Sequence, residues 1–252
     1  MPLHAKEAGS GKPVVLIHGL FGSLENLGGI ARKLAEHHHI YSLDLPNHGR
    51  SDHTDQTSLA EMADTVYRWL QRQSFCHASF VGHSLGGKVV MELALTHPEV
   101  VDRLAVLDIA PVHYTPRHND VFSGLLALNM DELKSRSEAD DQLRQYVQEP
   151  AVRSFLLKNL VRKEGRFSWR MNLKALHHHY PKLVGGNRSG SCFRGQTLFL
   201  KGGRSNYIEP HHKDEILTRF PLAKVKIVAD TGHWLHADKP DLVTRLLLKF
   251  LL

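Results

Sequence analysis

A chain of 252 residues, 42% hydrophobic and 23% charged, is long enough to bury one large core and too ordinary in composition to be disordered or fibrous. Its two cysteines, Cys76 and Cys192, are too few for a disulfide framework, and its formal charge of +6 is modest. Apolar runs such as 14–17 and 246–248 are far too short to span a bilayer, and residues 1–7 lack the basic-then-apolar pattern of a secretory signal, so no membrane span and a cytoplasmic location are expected.

In chain order, residues 14–17 read as a buried strand, 23–36 as a helix and 39–43 as a second strand. A helix over 58–73, a strand at 78–81, a helix over 85–97 stopped by Pro98, and a strand at 104–107 follow. This alternation predicts parallel strands joined by crossover helices. It breaks after Pro111, where helical patterns dominate without a convincing strand, and returns with a strand at 197–200, a helix at 211–219, a strand at 224–228 and a last helix from Pro240. The expected organisation is therefore an α/β core over 1–112 and 195–252, with a helical cap inserted at 113–194. Between Ala151 and Arg194 stand ten Lys or Arg against the single acid Glu164, which concentrates positive charge in the second half of that insertion.

Gly82-His83-Ser84-Leu85-Gly86 follows the third of these strands and opens a helix. In a G-x-S-x-G turn at such a junction, the tight backbone favours glycine two residues either side, and the serine hydroxyl is left exposed at the sheet end. A hydroxyl becomes nucleophilic only when a base takes its proton. Of the 19 histidines, His233 in Asp230-Thr231-Gly232-His233-Trp234 lies in the turn after the last predicted strand, with a glycine that lets the loop bend toward Ser84. The oxyanion of acyl transfer needs backbone N–H donors worth about 3 kcal/mol each. Leu85, at the helix N-terminus, supplies one. The loop His18-Gly19-Leu20-Phe21-Gly22 supplies the second, from Leu20 with Phe21 as the alternative. Phe21, Leu85 and Trp234 adjoin these atoms in sequence and are candidate walls of an acyl pocket, while Phe155, Phe167 and Trp169 belong to the cap.

The segments LIHGLFGS, LDLPNHGRSD, FVGHSLGG and TGHWLHADKP, in this order and spanning nearly the whole chain, resemble the α/β-hydrolase family, and within it a group of small bacterial esterases. The resemblance implies an α/β-hydrolase fold, mostly a parallel sheet flanked by helices, with a helical cap inserted after strand six, and an acid lying between Ser84 and His233. Many members carry that acid in the loop after the seventh strand, where this chain has Asn206. An amide orients an imidazole without stabilising its charged form. Asp108, ending the strand at 104–107, occupies the alternative site that the esterase group implies; Glu209 and Asp44 are its rivals, Asp44 having the simpler role of holding the Asn47-His48-Gly49 turn.

Other signals are weaker. The tracts His37-His38-His39 and His177-His178-His179 do not suit one metal ion, because helical neighbours point about 100° apart. Gly9-Ser10-Gly11-Lys12 precedes a strand and continues with Pro13, unlike a phosphate loop. The expectation is a serine hydrolase of carboxylic esters or thioesters, with acyl-CoA suggested by the basic cap, needing no metal or organic cofactor and binding no nucleic acid. A ligand receptor built on the same fold and a carbon–carbon bond hydrolase are the alternatives.

Overall fold

The computed structural model describes residues 2–252. Its elements, in chain order, begin with strands β1 (Ala5–Ala8) and β2 (Pro13–Ile17), a 3-10 turn at Leu24–Leu27, helix α1 (Gly28–Leu34) and strand β3 (His39–Leu43). Helix α2 (Leu59–Leu70), strand β4 (Ala78–His83), helix α3 (Leu85–Thr96) and strand β5 (Val101–Leu107) complete the first part. The insertion follows: helices α4 (Asn119–Ala127), α5 (Arg136–Leu143) and α6 (Pro150–Leu157), strands β6 (Leu160–Lys163) and β7 (Arg166–Trp169), and helices α7 (Leu173–His178) and α8 (Tyr180–Leu183). Strand β8 (Gln196–Gly202), helix α9 (Lys213–Arg219), strand β9 (Ala223–Val228), and helices α10 (Leu235–Asp238) and α11 (Pro240–Leu251) close the chain.

The main sheet has the order β1-β3-β2-β4-β5-β8-β9. All its pairs are parallel except β1 with β3. Central strands are apolar on both sides because helices cover both faces, and β4 is buried along its full length. On one face α1 and α11 pack through Ile30, Leu34, Val243 and Leu247. On the other, α2 and α3 pack through Met62, Val66, Val89 and Leu93, in a core continuous with Phe122, Leu156 and Leu176 of the insertion.

Three expectations are corrected. A short edge strand, β1, precedes β2, so five strands of this chain stand ahead of the insertion and not the four read from sequence. Its sequence Ala-Lys-Glu-Ala carries no apolar signal; it is a largely exposed antiparallel edge. The insertion also contains the β6–β7 hairpin, closed by Glu164 and Gly165 with φ of 53° and 84°. Positive φ at both turn residues is what a two-residue type I′ hairpin loop requires. Finally, the helix expected over 23–36 is a 3-10 turn followed by α1.

Candidate active site

The strand ends carry the candidate residues. Ser84 sits between β4 and α3 with φ 53° and ψ −119°, a conformation costly for a residue with a Cβ. Its N–H donates to Leu107 O (3.1 Å), and its carbonyl accepts the first helical bond from Lys88 N–H (3.1 Å). The flanking glycines are steric necessities: a Cβ on Gly82 would meet Gly86 O at 2.3 Å, and one on Gly86 would meet Ile17 O at 2.3 Å.

Asp108, directly after β5, is fully buried and also left-handed, with φ 53°. Its N–H donates to Leu200 O (2.8 Å), which fixes the turn against β8. Three groups face its carboxylate: Gly202 N–H donates to Oδ1 (2.8 Å), Ser205 Oγ–H donates to Oδ2, and His233 Nδ1 lies 2.8 Å from Oδ2. His233 Nε2 is 2.9 Å from Ser84 Oγ. Ser84, His233 and Asp108 thus form one hydrogen-bonded row.

The loop carrying His233 is pinned at several points. Thr231 Oγ1 donates to Val228 O (2.8 Å), and Gly232 N–H donates to Asp238 (2.9 Å). The His83 ring, buried beside Ser84, donates from Nε2 to His233 O (2.9 Å). Burial, with His236 and His233 as neighbours, holds His83 well below its ordinary pKa, so it serves as a neutral donor. Tyr207 stacks on the His233 ring at 4.0 Å, and its carbonyl accepts from the Tyr114 hydroxyl. Ser205, Tyr207 and His83 were not among the residues expected from sequence; only His83, inside the G-x-S-x-G segment, carried a local signal.

The rival acids are elsewhere. Asp44 accepts from Leu24 N–H (2.7 Å) and Arg50 N–H (2.9 Å), holding the turn after β3. Glu209 lies 3.5 Å from His211. Asn206 is exposed and accepts from the Arg117 guanidinium (2.9 Å). Among the described residues neither histidine tract converges on a common point; the one grouping of metal-ligating types is Glu209, His211 and His212, where His212 Nδ1 already accepts from Glu209 N–H (3.1 Å).

Leu85 is the first residue of α3, where first-turn N–H groups have no intrahelical acceptor. Leu20 and Phe21 are the middle of a turn closed by Gly22 N–H to Gly19 O (3.0 Å), with Phe21 at φ 59°. His18 holds that turn as a neutral ring: Nδ1 donates to Gly19 O (2.8 Å), and Nε2 accepts from Leu45 N–H (3.1 Å). Asn159, from the insertion, donates to Phe21 O (2.7 Å).

A pocket opens beside Ser84; Leu20, Leu85, Lys88, Tyr114, Arg117 and Tyr207 are among its walls. Phe21 and Trp234 do not line it. The left-handed backbone at Phe21 goes with a ring buried against Phe122 (4.9 Å), and Trp234 packs on Phe155 of α6 (5.3 Å).

Burial pushes five histidines around this region down: His18, His118 and His236 to about 4, His48 to about 3, and His83 well below 6.5. Between about pH 6.5 and 4 the unfolded chain then binds more protons than the folded one, so stability is full above this window and lost as pH falls through it. Calorimetry should show Tm falling by more than about 10 °C from pH 7 to 4.5. A flat Tm would mean these rings are charged in the fold.

Residues 12–240 match the alpha/beta hydrolase fold family. The chain is 38% identical to Esterase YbfF of Escherichia coli strain K12, over 98% of this chain and 96% of that protein. The chain belongs to the α/β-hydrolase family. It is 40% identical to the mouse sn-1-specific diacylglycerol lipase ABHD11, over 90% of this chain and 77% of that one. Among solved structures, a marine microorganism esterase superposes with a TM-score of 0.96 at 35% identity, covering 99% of both chains. No helix of the described residues is long and apolar enough to cross a membrane.

Proposed function

We propose that this α/β hydrolase cleaves carboxylic esters through a Ser84-His233-Asp108 triad. The hydrogen-bonded row from Ser84 Oγ through His233 to Asp108 carries this reading. The naming of its relatives as esterases and lipases supports the ester class. Ser84 Oγ attacks the acyl carbonyl while His233 Nε2 takes its proton, and Asp108 holds Nδ1–H so that the imidazolium is oriented and stabilised. The N–H groups of Leu85 and Leu20 bind the oxyanion. His233 then returns the proton to the departing alcohol, giving an acyl-Ser84 ester. Water, deprotonated by His233, releases the acid and restores the serine.

The test is a multiple-turnover assay on p-nitrophenyl esters, with a fluorophosphonate probe followed by peptide mapping. Burst kinetics and labelling at Ser84 are expected. Labelling of another residue overturns the assignment, and a single turnover without recycling favours a ligand receptor.

A second, finer reading is acyl-CoA thioester hydrolysis. It is supported by the exposed cations Arg162, Lys163 and Arg166, gathered on the β6–β7 hairpin of the region proposed as the cap (113–194), which suit a phosphorylated leaving group. Its kcat/KM for acyl-CoA should exceed that for an uncharged ester of the same acyl chain and fall with salt.

A further inference from the structure

Lys88 lies one helical turn beyond Ser84 on α3 and is 2% exposed. Burying an ammonium costs several kcal/mol unless its donors are satisfied. Here Nζ donates to Val112 O (2.8 Å) and to Gly185 O (2.6 Å), with the Tyr114 ring 5.3 Å away. These two carbonyls flank the helical part of the insertion: Val112 lies just ahead of its first residue and Gly185 just after its last helix, α8.

The ends are also joined to each other. Tyr114 N–H donates to Val184 O (2.9 Å), and Asn187 N–H donates to Pro111 O (3.3 Å). A buried carboxylate and a buried amide extend the junction one turn along α3. Asn187 Nδ2 donates to Lys88 O (2.8 Å) and to Glu92 Oε2 (2.9 Å), and Arg188 N–H donates to the same Glu92 oxygen (3.0 Å). Glu92 and Asn187 are 6% and 3% exposed. The nucleophile helix thus grips both stems of the insertion through side chains on consecutive turns. Lys88, Tyr114 and Val184 of this junction also line the pocket beside Ser84.

We propose that Lys88 is a positioning residue: it clasps both stems of the 113–194 insertion to the helix that carries Ser84, and so sets the width of the acyl pocket. The pocket part of this inference rests on the ester-hydrolase reading; the clasp does not. Methionine keeps an unbranched chain, one atom shorter than that of lysine, and donates no hydrogen bond, leaving both carbonyls without their partner.

The experiment combines hydrogen exchange with kinetics on Lys88→Met and, should that variant fail to fold, on Asn187→Leu. The amides of Tyr114 and Asn187 should exchange at least tenfold faster in the variant. KM for a p-nitrophenyl ester with an acyl chain long enough to fill the pocket should rise about tenfold relative to the KM for the acetyl ester. Unchanged exchange at both amides overturns the clasp. Unchanged KM with faster exchange overturns the pocket role, and an equal fall of kcat on both esters places Lys88 in the chemistry instead. If the wild-type protein hydrolyses no ester, the function reading fails and the exchange result still decides the clasp.

Discussion

Asp108→Asn is expected to lower kcat by about 10⁴-fold while leaving the fold intact, approaching the loss produced by Ser84→Ala. The amide is nearly isosteric and keeps one oxygen, so Gly202 N–H, which donates to Asp108 Oδ1, retains an acceptor. What disappears is the negative charge facing His233 Nδ1, and an amide NH₂ there favours the wrong imidazole tautomer. Glu209→Gln and Asn206→Ala serve as controls and should stay within about threefold of wild type, since Glu209 faces His211 and Asn206 faces Arg117. Steady-state kinetics on a p-nitrophenyl ester, with circular dichroism to verify folding, checks all four. A Glu209→Gln variant that loses turnover while Asp108→Asn keeps it would reverse the assignment.

Gly86→Ala is the second large effect, this time on stability. The added Cβ would lie 2.3 Å from Ile17 O and 2.4 Å from His18 O. Both are backbone atoms at the end of β2, a strand hydrogen-bonded on both sides to β3 and β4, so the neighbour cannot rotate away. Relief comes only by pushing α3 off the sheet. Overpacking of this kind costs about 3 kcal/mol, or roughly 10 °C in Tm for a chain of this size. The same shift would separate Leu85 from Leu20, so kcat should fall in whatever fraction folds. Gly28→Ala is the contrasting control: a Cβ added there would have no neighbour within 4 Å, and Tm should move by less than about 2 °C.

Much of this architecture was legible because the central strands are buried on both faces and their helices on one, which writes continuous and periodic apolar patterns into the chain. The β1 strand left no such mark, being a short charged edge. The β6–β7 hairpin was hidden in helical surroundings, since its turn is Glu-Gly in place of the commoner Asn-Gly. Around the site, Ser84 and His233 stood out through local glycine-bearing turns. Asp108 emerged from the resemblance and the order of residues more than from any local pattern.

Ser205 and Tyr207 were invisible for a different reason. Each acts on a residue that is remote in sequence, Ser205 on Asp108 and Tyr207 on His233, and such pairings are set by the closing of the sheet. The misplacement of Phe21 and Trp234 has a related cause. Adjacency to a reacting atom along the chain does not say which way a side chain leaves the backbone. Phe21, in a left-handed turn, contributes its ring to the core and its carbonyl to Asn159.

That last hydrogen bond makes the insertion a structural member of the loop beside Ser84. Asn159 stands between α6 and β6, and it holds the very peptide segment that also presents Leu20 toward Ser84. Exchanging the insertion for one from another hydrolase, as a way to alter substrate range, would therefore carry a hidden requirement: the transplanted segment must bring an amide donor to the carbonyl of Phe21. Grafts that meet it keep the loop braced, whereas grafts chosen on pocket shape alone leave it slack.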